Sequence, residues 1–97
     1  IGGVSGVENT DGSRKFVVDF GGGQLAMLPP DAAVEAVVNL SGGTIVSQSL
    51  GKIEGQPIWR LVIDATGPKD AVIEMTAHIR GFGRKLTENW IYQWIVA

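Results

Sequence analysis

Apolar residues in this chain recur at every second position, in short runs separated by glycine-rich turns, and no segment carries the spacing of an amphipathic helix. Phe16, Val18 and Phe20 alternate with Lys15, Val17 and Asp19, and Val34, Ala36, Val38 and Leu40 alternate with Glu35, Val37 and Asn39. Trp59, Leu61 and Ile63 do the same against Arg60, Val62 and Asp64, as do Ile73, Met75, Ala77 and Ile79 against Glu74, Thr76, His78 and Arg80. Period two is the mark of a strand with one buried face. With further runs at Thr44 to Leu50 and Lys85 to Val96 and a weak strand around Val4 to Val7, seven strands are predicted. Pro29 and Pro30 restrict QLAMLPP to a turn or a single helical loop. Without helices to cover a parallel sheet, the fold class is all-β: an immunoglobulin-like antiparallel β-sandwich, with a small barrel as the alternative.

A chain of 97 residues has room for one core. Residues 1–13, rich in glycine and small polar residues, read as a linker or lead-in, and residues 14–97 as the sandwich domain. Ser41-Gly42-Gly43 reads as a tight hairpin turn between two paired strands. The net charge of −2, with no basic run longer than a dipeptide, excludes an electrostatic footprint for nucleic acid. No apolar stretch is long enough to span a membrane as a helix, and no signal peptide is written in this sequence. The absence of cysteine excludes disulfides and thiol chemistry.

Three blocks carry a more specific signal: FVVDFGG at 16–22, PPDAAVEAVVNLSGG at 29–43 and LTENWIYQW at 86–94, joined in order by IWRLVIDA and AVIEMTAHIRG. Together they resemble the C-terminal domain of the osmoregulated periplasmic glucan biosynthesis proteins G and D. The resemblance implies a periplasmic parent several times longer, in which a large N-terminal β-sandwich bears the glucan cleft and this domain is the small immunoglobulin-like partner. It implies a role in making or processing β-1,2-linked glucans, with any glycoside-hydrolase-type carboxylate lying in the N-terminal part. Many relatives place an Asn-Pro turn and a Gly-Gly pair before the tryptophan where this chain reads GKIEGQPIWR at 51–60, so the resemblance does not assign the G or the D type. The implied partner is the N-terminal domain of the same parent. β-Glucan would be a direct ligand only if the domain were a carbohydrate-binding module, which is the alternative reading. A generic immunoglobulin-like interaction domain is a third reading, resting on fold alone.

The residues offer no catalytic, cofactor-binding or metal site. A glycosidase needs two carboxyl groups about 5 to 9.5 Å apart across a cleft. Glu74 and Glu88 are the best candidates, and the favoured hairpin register puts them on opposite faces. His78, the single histidine, reads as an outward-facing strand residue rather than a base or ligand. Gly81-Phe82-Gly83 echoes a phosphate loop but lies between two strands with no helix behind it, so it reads as a turn.

Trp90, Tyr92 and Trp94 share one face of the last strand, and register decides whether they enter the core or form a sugar platform. A four-residue loop from Gly81 to Arg84 sets Arg80 opposite Lys85, Met75 opposite Trp90, Ile73 opposite Tyr92 and Ala71 opposite Trp94, with all three rings inward and Glu88 a misfit opposite Ala77. A three-residue loop would turn the stripe outward and set Arg80 against Arg84. Each buried ring removes about 150 to 250 Å² from water, so the inward register is the expected one. The purified chain is expected to release no reducing ends from β-1,2-glucan. Release abolished by Glu74→Gln or Glu88→Gln would overturn that expectation.

Overall fold

The structure, a computed structural model, describes residues 4–8 and 13–97. Its strands are β1 (Val4–Glu8), β2 (Arg14–Gly21), β3 (Val34–Leu40), β4 (Thr44–Lys52), β5 (Ile58–Thr66), β6 (Val72–Gly81), β7 (Arg84–Lys85) and β8 (Trp90–Ile95), with a 3₁₀ turn at Gly23–Met27. All pairings are antiparallel. One sheet runs β1-β2-β5-β4; in the other, β6 pairs with β3 on one side and with β7 and β8 on the other. This is the strand order of a constant-type immunoglobulin sandwich. The strand expected near Val4 is β1, bonded to the edge of β2. The rest of the expected lead-in, residues 1–3 and 9–12, lies outside the described residues.

The alternating residues fill the space between the sheets. Phe16, Val18, Phe20, Leu61, Ile63, Ile73, Met75 and Ile79 are all fully buried. Both layers contribute, so each sheet's apolar face is covered by the other. Leu25 of the 3₁₀ turn plugs one end, held by Trp59 Nε1 donating to the Leu25 carbonyl at 3.2 Å. Trp94 Nε1, by contrast, is buried with no acceptor among the described residues, so Trp94 contributes through its ring.

The aromatic stripe faces inward, with Trp90 6% and Trp94 3% exposed and Tyr92 half-buried. The register that achieves this differs from the expected one by two residues. Arg80 does pair with Lys85, but Gly81 also pairs with Arg84, leaving a loop of two residues rather than four. The chain then leaves the ladder from Leu86 to Asn89 and re-enters with Ala77 opposite Trp90, Met75 opposite Tyr92 and Ile73 opposite Trp94. Thr87 makes the slip possible, because its Oγ1 accepts the Ile79 N–H at 3.0 Å in place of a strand carbonyl. A slip of two preserves the face on which every side chain lies. It also sets the Trp90 indole against the small Ala77 and lets Glu88 out to solvent.

The second correction concerns Ser41-Gly42-Gly43, which is not a hairpin: β3 pairs with β6 and β4 with β5, so the turn crosses between sheets. Ser41 extends the β3–β6 ladder, its N–H donating to the Glu74 carbonyl and its Oγ accepting the Glu74 N–H at 2.8 Å. Gly43 then turns with φ 75°, and a Cβ there would stand 2.4 Å from the Thr66 carbonyl oxygen. Gly43→Ala is therefore expected to cost at least about 2 kcal/mol, from the positive φ and the backbone clash together. Gly42→Ala, whose Cβ would meet nothing nearer than Ile73 Cγ1 at 4.0 Å, is expected to stay within about 0.5 kcal/mol. Urea unfolding of the two variants checks the contrast.

Candidate functional site

Three connections meet at one end of the sandwich: β2–β3 with its 3₁₀ turn, β4–β5, and the segment from β6 through β7 to β8. They are tied to one another. Arg84 donates to Gln24 Oε1, joining the β6–β7 turn to the 3₁₀ turn. Lys52, at the end of β4, donates from Nζ to the Leu28 carbonyl at 2.6 Å and toward Ala26 at 3.5 Å, occupying carbonyls that the end of the 3₁₀ turn leaves free. An open groove of about 580 Å³ runs between the first two loops, lined by Ala26, Pro30, Ile53 and Pro57 among others. A second lies between the start of β3 and the β6–β7 turn, beside Glu35, Arg80 and Phe82.

Two large apolar side chains project from this end, Met27 at 84% exposure and Phe82 at 61%. Phe82 and Gly83 have φ of 55° and 77°, the positive values that a two-residue type I′ hairpin turn requires. The first position of such a turn suits Asn, Asp or Gly, and a bulky residue there is a true outlier costing about 1 to 3 kcal/mol. Gly81-Phe82-Gly83 is thus a turn, as expected. Its exposed aromatic at a strained position was not legible in the sequence, because the same tripeptide fits a longer, relaxed loop.

The other candidate residues do not converge. Glu74 lies on the outer face of β6 opposite Gln93, while Glu88 is in the connection next to Thr87, which bonds Ile79. Four to five residues of strand separate the two levels, roughly 13 to 17 Å of rise. His78 is half-buried on the outer face opposite Val37, with Asn89 as its hydrogen-bond partner and Lys85 and Arg80 nearby. Among the described residues no group of three or more His, Asp or Glu could hold a metal ion. No helix among them is long and apolar enough to cross a membrane.

On the outer face of β2 and β5 the charged side chains pair with one another. Arg60 grips Asp19 through two hydrogen bonds of 2.8 and 3.0 Å, which hold the Asp19 carboxyl below its ordinary range against the opposing effect of burial. Lys15 pairs with Asp64 at 3.5 Å, and Ser47 donates to the same carboxylate.

Taken together, the strand order, the inward tryptophans and the loop cluster define an immunoglobulin-type β-sandwich module with Met27 and Phe82 exposed at one end. Residues 1–94 match the family described as "Periplasmic glucan biosynthesis protein, MdoG". The chain is 55% identical over 96 residues to Glucans biosynthesis protein G of Cereibacter sphaeroides, an overlap covering 99% of this chain and 18% of that protein. It is 38% identical to the probable glucans biosynthesis protein D of Shewanella oneidensis and 37% identical to Glucans biosynthesis protein D of Xanthomonas axonopodis pv. citri, each overlap covering 97% of this chain and 18% of the relative. The chain belongs to the periplasmic glucan biosynthesis protein family. It spans about a fifth of the length of these curated relatives.

Burial lowers the pKa of His78, the Lys85 and Arg80 charges lower it further, and the Asn89 hydrogen bond opposes them. A folded-state pKa below the unfolded value of about 6.5 means that the native state binds this proton less readily than the unfolded chain. The stabilisation is full above that value and lost as pH falls through the folded pKa. Asp19, already low, titrates in a more acidic range. Between pH 7 and pH 5 the melting temperature is expected to fall more in the natural sequence than in His78→Gln, as paired thermal melts at the two pH values would show.

Proposed function

We propose that this chain is a non-catalytic accessory domain of a periplasmic protein that makes or processes β-1,2-linked glucans, and that it docks through its three-loop end on an N-terminal domain of the same parent. The observation that carries the reading is Phe82, a large aromatic held exposed at positive φ where glycine or asparagine would be relaxed. Strained residues of that kind cluster at functional sites, and an exposed aromatic at such a position fits a contact surface. Met27 stands exposed at the same end. Strand direction agrees: β1 begins opposite Val18 and runs away from the loop end, so a domain attached upstream of β1 is delivered to that end. The length of the relatives supplies room for such a domain. The alternative, a carbohydrate-binding module using aromatic side chains, loses its main support because Trp59, Trp90 and Trp94 are core residues.

The test is a pair of substitutions, Phe82→Ser and Met27→Ser, introduced into the parent protein. Each anchor is expected to contribute about 2 kcal/mol to docking, as buried interface anchors do. Scanning calorimetry of the double variant should then resolve two transitions where the unaltered parent shows one, and limited proteolysis should release the small domain faster. An unchanged calorimetric profile and digestion rate in the parent would refute docking through this end.

A further inference from the structure

Each sheet has two edges, and three of the four are protected against pairing with another strand. β1 is short, five residues. β4 is interrupted by a register shift between Ile45 and Ser47. β3 carries Glu35, and its Ala36 carbonyl is occupied by the Gln48 side chain at 3.3 Å. Short length, charge, bulges and side-chain cover are the usual devices that keep edges from pairing. β8, six residues long, shows no charge, bulge or side-chain cover among the described residues. The run Trp90-Ile-Tyr-Gln-Trp-Ile-Val-Ala97 holds no charge, no proline and no glycine, and among the described residues β8 pairs with β6 alone.

The free side of β8 is also self-complementary. Val96 donates its N–H to the Ala71 carbonyl and accepts from Asp70, so backbone groups at even positions point toward β6. Alternation along the strand then turns the N–H and C=O of Ile91, Gln93 and Ile95 outward. The same three residues project from the outer face of the sheet, where Ile91 is 64% and Ile95 66% exposed and Val72 stands exposed opposite Ile95. Read in either direction the sequence of outward groups is Ile, Gln, Ile.

We propose that β8 pairs with β8 of a second copy of this chain, antiparallel about a twofold axis at Gln93. Gln93 then faces its own counterpart, and Ile91 faces Ile95 of the other copy at both ends. All three facing pairs are of the hydrogen-bonded type, because each uses residues whose backbone groups already point outward. The contact is isologous, as a twofold interface must be. No like charges meet along it, since residues 89–97 carry none. This inference uses the sheet edge and is independent of docking through the loop end.

Sedimentation velocity of the 97-residue chain across a concentration series tests it. The natural sequence is expected to show a monomer–dimer equilibrium. Ile91→Lys combined with Ile95→Lys sets lysine against lysine across the axis, and Gln93→Pro removes an outward N–H without touching the β6 ladder. Both variants should weaken association by more than about tenfold, the equivalent of 1.4 kcal/mol, with circular dichroism confirming that they remain folded. Amide exchange in the natural chain gives a second reading: protection of the Gln93 N–H should rise with concentration. A chain that sediments as a monomer up to its solubility limit would overturn the pairing. So would a dimer indifferent to these substitutions, or Gln93 protection that arises only in a monomeric, longer parent.

Discussion

Phe16 of β2 lies between Tyr92 and Trp94 of β8, with ring centroids 5.8 and 5.2 Å away, and this contact joins the two sheets. The Trp94 contact is edge-on, the arrangement that aligns a ring's positive rim with the other's negative face. Trp90 stacks on Tyr92 at 5.8 Å, continuing the aromatic layer along β8. A domain of this size has one core and no disulfide, so its stability rests on filling the gap between layers with large rings. The register of β8 answers to that demand. Its two-residue slip matches Trp90 to Ala77, where the expected register would have crowded the indole against Met75.

The same demand leaves the surface divided by role. The charged outward residues of β2 and β5 satisfy one another through Arg60–Asp19 and Lys15–Asp64, with half-buried Val17 paired to Val62 among them. Exposed pairs of this kind contribute little stability, and what they supply is solubility and orientation. On the other sheet the outward positions include Val72, Ile91 and Ile95, which water does not satisfy. The loop end carries Met27 and Phe82 in addition. The exposed large apolar side chains thus fall mainly at the loop end and on the outer face of the second sheet. The chain belongs to a family whose proteins are several times longer.

The chemistry-bearing residues fit the same picture. Glu74 points to solvent from the outer face of β6, Glu88 has been released into a connection by the slip, and His78 is held nearer neutrality by burial and by two neighbouring cations. A general base is instead kept near a carboxylate or a metal that defines its proton's path. Among these side chains no two share a cleft, and the grooves at the loop end are lined largely by small and apolar residues with Lys52 committed to backbone carbonyls.

The sequence by itself determined which segments are extended and which side chains share a face, the three aromatics of 90–94 among them. Alternation is a local property of extended backbone: Phe16, Val18 and Phe20 must share a side whatever they pack against, and a two-residue slip leaves that side unchanged. Family membership was legible for a related reason, since the aromatic block at 86–94 combines a core stripe with the Thr87 that permits its entry. What only the tertiary structure decided was partnership. Ser41-Gly42-Gly43 has the composition of a hairpin turn, yet Gly43 carries the chain between sheets because β3 finds its partner in β6, 35 to 47 residues away. The positive φ of Phe82, the clustering of the three loops and the open edge of β8 likewise follow from which strands pair. Pairing is settled by the fit of two distant apolar faces across a shared core, and no short stretch of sequence contains both of them.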